Sequence, residues 1–367
     1  MSSVCYINGR FLTQPITGVQ RYAGEIIKAL DLMIGSARTA SDQISFRLLV
    51  PPSPLRTPTP AHIPTRQVGH TSGHLWEQIE LPWYARDGFL LNLCNAAPIV
   101  SKRQAVIIYD AGVFACPDSY SFAFRTWYRF MLRAAGKRSA VVITASAFSR
   151  EEITDRVGIP LPKIRIISGG CNHVDGLSDD DTRIAGSGLS GRPFLLAVSS
   201  LSPRKNFQAV IDAMATLGEV GFDVVLAGTA NPKIFGRMKL RMSDRIRFLG
   251  EVNDAELTAL YRRATAFIYP SLYEGFGLPP LEAMRLGCPV IVSDIPPHRE
   301  VCGEAAIYCD PHDIRNIADR IIQIMSDADL RRRYAELGRA RANVFTWQKS
   351  AAELYRILEK AIVGTSS

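Results

Sequence analysis

Short apolar runs alternate with amphipathic segments along the first half of the chain. The runs have the length of buried strands, and between them apolar residues recur every three or four positions, as on one helix face. The predicted strands cover residues 4–7, 44–50, 105–109, 141–144 and 164–168. The predicted helices cover residues 18–30, 75–85, 122–135 and 149–157. Such alternation is typical of a parallel sheet with helices on both faces.

The second half repeats this pattern after a stretch that lacks it. Residues 176–193 are rich in Gly, Ser and Asp without a sustained apolar period, which indicates a linker. Predicted strands follow at residues 194–198, 224–227, 245–249, 266–269 and 290–292. Predicted helices follow at residues 207–216, 254–263, 281–286, 314–325, 329–342 and 347–362. The 367 residues are therefore predicted to form two α/β domains, at 1–175 and 194–345, with a final helix at 346–367.

Composition excludes several classes of protein. A hydrophobic share of 47% with 21% charged residues is ordinary for a globular protein and argues against disorder. No apolar stretch approaches the roughly 20 residues of a membrane span, and the N-terminus lacks the pattern of a signal peptide. The seven cysteines are dispersed without a Cys-x-x-Cys pair, and the histidines show no metal-binding spacing. We therefore expect reduced thiols in a cytosolic protein without a metal site.

The net charge of +8 indicates an anionic partner. Nucleic acid, anionic lipid and a sugar nucleotide would each fit, but the basic residues are scattered and no nucleic-acid recognition motif occurs, so we expect no nucleic acid. One helix is different: Arg125, Arg129, Arg133 and Lys137 recur along one face of the predicted helix at 122–135 and its C-terminal extension, interleaved with aromatic residues. This helix could lie on an anionic bilayer. The competing interpretation is a solvated basic face opposite a buried aromatic face.

Two carboxylates bracket a glycine turn at residues 273–284, Tyr-Glu-Gly-Phe-Gly-Leu-Pro-Pro-Leu-Glu-Ala-Met. Gly275 and Gly277 can adopt positive φ or allow a ligand to approach the backbone, and two prolines suit the first helical positions. A strand, a glycine turn and a helix N-terminus together form an anion site. We expect Glu274, in the turn, and Glu282, early in the helix, to face one pocket.

A basic pair follows another predicted strand. Arg204 and Lys205 lie between the strand at 194–198 and the helix at 207–216. A guanidinium offers a planar fork of donors and an ammonium a point charge, which together suit a diphosphate. The alternative is an exposed basic turn without a ligand.

The sequence YPSLYEGFGLPPLEAMRLGCPVIVSD, with its two glutamates separated by seven residues, resembles the retaining glycosyltransferases of family 4. The family includes bacterial mannosyl- and glucosyltransferases. The resemblance implies the GT-B fold, an α/β architecture of two Rossmann-like domains whose parallel sheets face a central cleft. It also implies that the segment 346–367 crosses back to the first domain, that catalysis occurs in the cleft, and that no metal or other cofactor is needed.

The resemblance assigns roles in the second domain. Lys205 and Arg204 would bind the donor diphosphate, Glu274 the donor sugar and Glu282 the ribose hydroxyls. The strand end before Val252 would present backbone to the nucleobase, and Ser200 lies where the family often has an additional arginine. The amides of the turn would face the diphosphate and sugar. The donor-binding residues implied are Gly18, Ser200, Val252, Gly275, Phe276, Gly277, Leu278 and Glu282, and the catalytic ones are Glu274, Lys205, Arg204 and Asp110.

Segments of the first domain match the family less closely. Residues 17–22 resemble a glycine loop that closes over the diphosphate, with Gly18 as the loop glycine and Arg21 as a charge contact or ordinary helix surface. The segment ending in Tyr109 and Asp110 usually ends in His-Asp, and a phenol can hydrogen-bond but cannot carry the charge of an imidazolium. Asp110 would lie in the cleft or cap the following helix. Glu77, together with Arg21 and Tyr109, would lie on the acceptor side.

The resemblance implies a retaining transferase that moves a hexose from a nucleotide sugar to a lipid-linked glycan of the cell surface. The first candidate donor is GDP-mannose, and UDP-glucose, a UDP-N-acetylhexosamine and a deoxysugar nucleotide remain open. We expect the protein in the cytoplasm, with peripheral contact at the inner face of the membrane. Because Tyr109 departs from the family pattern, a scaffold with weak or no catalysis is the alternative.

Overall fold

The computed structural model describes residues 3–36, 44–56, 60–189, 191–200, 202–228 and 245–364. The chain divides into two compact units, Cys171–Phe345 and a first unit made of Met1–Gly170 with Thr346–Ser367. The first domain was predicted at 1–175, so it ends five residues earlier than predicted, while the final segment at 346–367 belongs to this unit. Leu201, which precedes the basic pair, lies outside the described residues.

The first unit contains a seven-stranded parallel sheet in the order β3-β2-β1-β4-β5-β6-β7. Its strands are β1 Ser3–Asn8, β2 Ile44–Val50, β3 Thr65–Gln67, β4 Phe89–Asn92, β5 Gln104–Ile107, β6 Val141–Thr144 and β7 Ile164–Ile166. Every residue of β4, β5 and β6 is buried, as expected where helices cover both faces of a sheet. The strand order reverses between β1 and β4, and in open α/β sheets ligands bind beyond the strand ends at such a point.

Helices cover this sheet. They are α1 Gly18–Ser36, α2 Gly73–Leu75, α3 Leu81–Tyr84, α4 Gly112–Ala115, α5 Phe122–Arg138 and α6 Ala147–Glu152. A π-helical turn, Trp76–Glu80, joins α2 to α3, so the helix predicted at 75–85 is irregular. The terminal helix, Trp347–Gly364, packs against α1 within this unit.

The second unit contains a six-stranded parallel sheet in the order β10-β9-β8-β11-β12-β13. Its strands are β8 Phe194–Val198, β9 Asp223–Ala227, β10 Ile246–Gly250, β11 Ala266–Tyr269, β12 Val290–Ser293 and β13 Ile307–Cys309. Its helices are α7 Thr182–Gly186, α8 Phe207–Leu217, α9 Asp254–Arg263, α10 Leu278–Arg285, α11 Pro296–Cys302, α12 Ile314–Ser326 and α13 Ala328–Ala342. The order reverses between β8 and β11, which places a second switch point after these strands. The predicted α/β class with two parallel sheets is confirmed.

The segment predicted as a linker is part of the second unit. Within it, α7 is helical, and Arg183 forms a 3.0 Å ion pair with Glu256 of α9. Asp179 and Asp181 pair with arginines at the C-terminus of α9. The charged residues that made the segment look solvated therefore fix it to a neighbouring helix. Across the described ranges, no helix is long and apolar enough to cross a membrane.

Candidate active site

The basic turn and the glycine turn meet at the switch point of the second sheet. Lys205 follows β8 and Glu274 follows β11, and these two strands are neighbours. The backbone N–H of Leu272 donates to the carbonyl of Arg204 at 2.8 Å, which joins the two loops directly. Asn206, in the left-handed conformation before α8, donates its side-chain amide to the carbonyl of Pro270 at 3.1 Å. Lys205 and Glu274, which are 69 positions apart in sequence, are thereby brought together.

Lys205 and Glu274 form a buried ion pair. The Lys205 Nζ lies 2.6 Å from Glu274 Oε1 and 2.6 Å from the hydroxyl of Tyr269, the last residue of β11. Lys205 is 8% exposed and Glu274 is 6% exposed. Because an ammonium or carboxylate is costly to bury alone, each group depends on the other. Arg204, half-buried beside the pair, adds a second positive charge.

The charges at this pair control its protonation. Burial alone would raise the pKa of Glu274, but the charges of Lys205 and Arg204 and the hydrogen bond from Lys205 outweigh it and hold that pKa at about 2. Burial and the neighbouring Glu274 carboxylate raise the pKa of Tyr269 well above its usual range. At neutral pH the site therefore contains an ammonium, a carboxylate and an intact phenol.

The glycine turn leads directly into α10. Gly277 has φ 114°, which only glycine adopts readily, and prolines occupy the first turn of α10. The amides at a helix N-terminus lack intrahelical partners and carry the positive end of the helix dipole. Gly275 is buried, and Phe276 and Leu278 are almost entirely so, while the ring of Phe276 packs edge-on against Phe345. This rigid turn next to Lys205 and Arg204 is suited to hold a diphosphate.

His298 of α11 lies behind the turn and was not predicted. Its Nδ1 donates to the carbonyl of Ser293 at 3.0 Å, and its ring is 5.6 Å from that of Tyr269. A Cβ at Gly277 would lie 3.5 Å from His298 Cδ2. Complete burial lowers the pKa of His298 to about 4, despite the nearby Glu274, so the imidazole is neutral at physiological pH. In the sequence, the only signal for His298 is its position shortly after the end of the strand predicted at 290–292.

Glu282 lies in α10, one turn after Leu278 at its start. Its Oε1 is 3.2 Å from His173 Nε2, and its Oε2 accepts a hydrogen bond from the Tyr261 hydroxyl at 3.3 Å. Glu282 is 8% exposed, so its carboxylate is held from two sides at a buried edge of the site. The motif indicated Glu282 but neither of its two partners, His173 and Tyr261.

The same part of the chain matches a known family. Residues 179–341 match the family model described as glycosyl transferases group 1. The second unit therefore carries a group 1 glycosyl transferase domain. Its paired glutamates and its basic turn are the residues that carry the resemblance to family 4. In the structure they lie at one switch point.

Curated relatives extend the similarity beyond the group 1 domain. The O-antigen chain mannosyltransferase B of Escherichia coli is 28% identical over 267 residues, which are 69% of each chain. The O-antigen chain mannosyltransferase RfbU of Salmonella typhimurium is 31% identical over 215 residues, which are 58% of each chain. A solved structure of Anabaena Alr3699/HepE in complex with UDP and glucose superposes with a TM-score of 0.74 at 17% identity, covering 98% of this chain and 100% of that chain. That likeness shows the fold, which is GT-B.

Two predicted donor contacts follow other strands of the second sheet. Ser200 is exposed directly after β8, at the switch point. Val252 is half-buried after β10, which is two strands away at the end of the sheet. Both follow carboxyl ends of parallel strands, as a donor-binding role requires, and their contacts with a nucleotide stay a prediction.

The switch point of the first unit holds a buried polar network that sequence reasoning identified only in part. Arg10 Nε pairs with Glu77 Oε1 at 3.1 Å, and Asn8 at the end of β1 donates to the same oxygen at 2.9 Å. His74 Nδ1 lies 3.2 Å from the other carboxylate oxygen. Glu77 is 1% exposed. The expected direct contact of Glu77 with an acceptor therefore differs from the structure, in which these partners hold the carboxylate in a buried network.

Tyr109 is also buried. Its hydroxyl donates to the carbonyl of Leu93 at 2.8 Å, and its ring packs edge-on against Tyr22. Burial, with smaller contributions from Cys94 and Tyr22, raises the pKa of Tyr109 well above its usual range. The expected acceptor-side contact of Tyr109 differs from this geometry, since its hydroxyl is bonded to the backbone of Leu93. Tyr109 instead fills the core beneath the switch point.

The remaining residues of the first unit have local roles in the structure. Asp110 is half-buried and accepts the N–H of Gly112, the first residue of α4, at 2.7 Å. The N-cap position of α4 is Ala111, so Asp110 forms a turn that leads into the helix and does not cap it. Gly18 is exposed at the start of α1. Arg21, one turn later, lies 3.8 Å from Glu25. Contacts of Gly18 and Arg21 with a diphosphate stay predictions. Within the described ranges, no three His, Cys, Asp or Glu side chains group as a metal site would require.

Proposed function

We propose that this protein is a metal-independent, retaining family 4 hexosyltransferase that transfers mannose from GDP-mannose to a lipid-linked glycan. The observation that carries the proposal is the buried Lys205–Glu274 pair, which lies at a switch point beside a glycine turn in a group 1 glycosyl transferase domain. The mannosyl group is chosen because the two relatives described above are named mannosyltransferases.

The residues support electrostatic catalysis on the leaving group. As the bond between the sugar and the diphosphate breaks, negative charge develops on the diphosphate. Lys205, Arg204 and the α10 N-terminus provide preorganised positive charge for it, which removes the need for a metal ion. Glu274 remains ionised at neutral pH and can accept hydrogen bonds from sugar hydroxyls. We propose that the donor phosphate itself takes the acceptor proton, as the family resemblance implies for retention.

Binding of GDP is the first prediction of this proposal. A ligand that binds only the folded protein at about 100 times its Kd adds about 2.7 kcal/mol to the free energy of unfolding. GDP should therefore raise the melting temperature by about 5–10 °C. The measurement is a thermal-shift panel of the full chain with GDP, UDP, dTDP, ADP and CDP. Incubation with GDP-mannose should then release GDP, slowly as hydrolysis and faster once an acceptor is added.

The panel also decides between the open alternatives. A shift with UDP alone would replace GDP-mannose by a UDP sugar and leave the site assignment intact. A shift with GDP but no release of GDP from GDP-mannose under any condition would favour the scaffold interpretation. No shift with any nucleotide would contradict the proposed function.

We further propose that the acceptor is reached at the inner face of the cytoplasmic membrane, through α5. The competing interpretation placed the aromatic residues of this helix inside the protein, but Phe122 is 75% exposed and Phe130 57%. Phe124 and Trp127 are also exposed, while Met131, Leu132 and Ala135 supply the buried face. Five basic residues and no acidic ones occur from 122 to 138. Exposed rings among basic side chains suit the interface of an anionic bilayer.

Replacement of the exposed rings should weaken membrane binding. The double variant Phe122→Ser/Phe130→Ser should bind vesicles of 30% phosphatidylglycerol at least about tenfold more weakly, because each Phe contributes up to about 1.5–3 kcal/mol when buried in lipid. Arg129 is left unchanged because its Nε donates to the carbonyl of Val113. Vesicle co-sedimentation is the measurement, and Ile322→Ser on α12 of the second unit is the matched control. Equal binding of the double variant and the control would remove the membrane part of the proposal.

A further inference from the structure

The segment that opens the second unit is fixed to α10 at two points. His173, in the helical turn Asn172–Val174, contacts Glu282 of α10 with 3.2 Å between Nε2 and Oε1. Asp175 forms a paired contact with Arg285, whose Nε and terminal nitrogen lie 2.6 and 2.5 Å from the two carboxylate oxygens. Glu282 and Arg285 are three residues apart and so share one face of the helix. The two contacts thus form a clamp on the helix that carries the second glutamate of the pair.

The two contacts of the clamp differ in exposure. The side chains of His173 and Glu282 are 7% and 10% exposed, whereas that of Asp175 is 45% exposed. An exposed ion pair contributes little to stability, but a hydrogen bond to a buried carboxylate is strong and directional. His173 is therefore the contact that fixes the orientation of the Glu282 carboxylate.

The geometry leaves Glu282 able to hold a ligand as well. A carboxylate offers about four lone-pair positions on its two oxygens. His173 uses one position on Oε1 and Tyr261 one on Oε2. The remaining positions can accept two neighbouring hydroxyl groups only if the carboxylate cannot rotate, since rotation would cost part of the binding energy.

We infer that His173 is a positioning residue for nucleotide recognition: its Nε2–H orients Glu282 so that the carboxylate accepts both ribose hydroxyls of the donor. The inference rests on the proposed function and on the ribose contact that the family resemblance implies for Glu282. It extends that function to a residue outside the glutamate motif, in the segment where the chain enters the second unit. Cys171, two residues earlier, donates its N–H to the carbonyl of Phe345 at 3.2 Å, which anchors the start of this segment.

The test compares GDP with 2′,3′-dideoxy-GDP, which lacks both ribose hydroxyls. The unchanged protein should bind GDP at least about tenfold more tightly, because hydrogen bonds to a charged group are among the stronger ones. His173→Leu should reduce this preference to about twofold or less, chiefly by weakening GDP. His173→Gln can place an amide N–H near the position of Nε2 and should restore most of the preference. Isothermal titration of the unchanged protein and of each variant with both nucleotides gives the ratio of the two Kd values for each.

Asp175→Asn is the matched control. It removes the charge from the other half of the clamp and leaves His173 and Glu282 unchanged, so it should preserve the preference for GDP. If Asp175→Asn and His173→Leu reduce the preference equally, His173 acts only by holding the segment in place and the inference is overturned. A preference that His173→Leu leaves unchanged overturns it as well.

Glu282→Gln separates this inference from the proposed function. If the unchanged protein binds GDP but does not prefer it to the dideoxy nucleotide, the ribose role of Glu282 fails and the inference fails with it. If Glu282→Gln loses the preference and His173→Leu keeps it, only the inference fails. A protein that binds neither nucleotide contradicts the donor in the proposed function and also overturns the inference as stated for GDP.

Discussion

Lys205→Met should reduce transfer at least about a hundredfold and destabilise the second unit by about 3–5 kcal/mol. The catalytic loss follows from removing a preorganised cation from the leaving diphosphate. The loss of stability follows because the Glu274 carboxylate, now without the ammonium 2.6 Å away, remains in a buried site. A destabilisation of this size lowers the melting temperature by about 10 °C or more. Transfer from GDP-mannose and thermal melting are the two measurements.

The double variant Lys205→Met/Glu274→Gln separates these two effects. Replacing both charges by neutral groups of similar shape removes the unpaired carboxylate, so most of the lost stability should return. Activity should not return, because neither the cation nor the carboxylate is present. The coupling energy of this cycle should be large, since the two side chains are in direct contact.

Two outcomes would contradict this account. If Lys205→Met retains transfer within about threefold of the unchanged protein, Lys205 does not act on the leaving group. If the double variant regains activity together with stability, the pair is structural and the diphosphate is held by other residues. Arg204→Met is the control for general loss of positive charge. It should lower transfer but cost less stability than Lys205→Met, because Arg204 is only half-buried.

Strand and helix positions in the second unit followed from local periodicity. The strands β8 and β11 and the helix α9 begin and end where the sequence predicts. The two strands are continuous apolar runs, and α9 is an amphipathic segment that begins with a capping box. By contrast, β3 and β13 were not predicted. β3 consists of three exposed residues and β13 has only three residues, so neither shows an apolar pattern in the sequence. Such short strands exist because an existing sheet edge supplies their hydrogen bonds.

The candidate site could be predicted where its residues share a short motif. Glu274 and Glu282 lie within one turn and helix, so their spacing alone indicated a common pocket. His173 lies 109 positions before Glu282, and His298 is held by the carbonyl of Ser293. Their importance arises only when the sheet order brings different loops together. Tyr109 shows the opposite case: its motif position indicated a substrate contact, but tertiary packing turned the hydroxyl toward Leu93.

Acidification should destabilise the second unit in two separate pH ranges. His298 has a pKa of about 4 in the folded protein, against about 6.5 when unfolded. Between these two values His298 is protonated in the unfolded chain but neutral in the folded chain. The free energy of unfolding therefore falls as the pH drops from about 6.5 to 4. Glu274 has a folded pKa of about 2 against about 4.5, so its contribution is lost between about pH 4.5 and 2. Each shift corresponds to about 3 kcal/mol.

His298→Asn should make the free energy of unfolding less dependent on pH in the upper of the two pH ranges. An asparagine amide can still donate to the carbonyl of Ser293 but does not titrate between pH 4 and 7. The variant should therefore be less stable at pH 7, where a smaller side chain leaves a cavity, and yet lose about 2.5 kcal/mol less between pH 7 and 4.5. Denaturant unfolding that follows the second unit, repeated at each pH, measures the slope independently of the starting stability.

Glu274→Gln is the control, because it should keep the loss of stability in the upper range, where His298 still titrates, and remove the loss in the lower range. If His298→Asn and the unchanged protein lose stability in parallel from pH 7 to 4.5, the imidazole is not held neutral beside the turn. The geometry favours the neutral form, since Lys205 and Arg204 already balance Glu274 and a third cation would have no carboxylate of its own. A protonated His298 would also repel Lys205, so the acid limit of activity should follow this histidine before it follows Glu274.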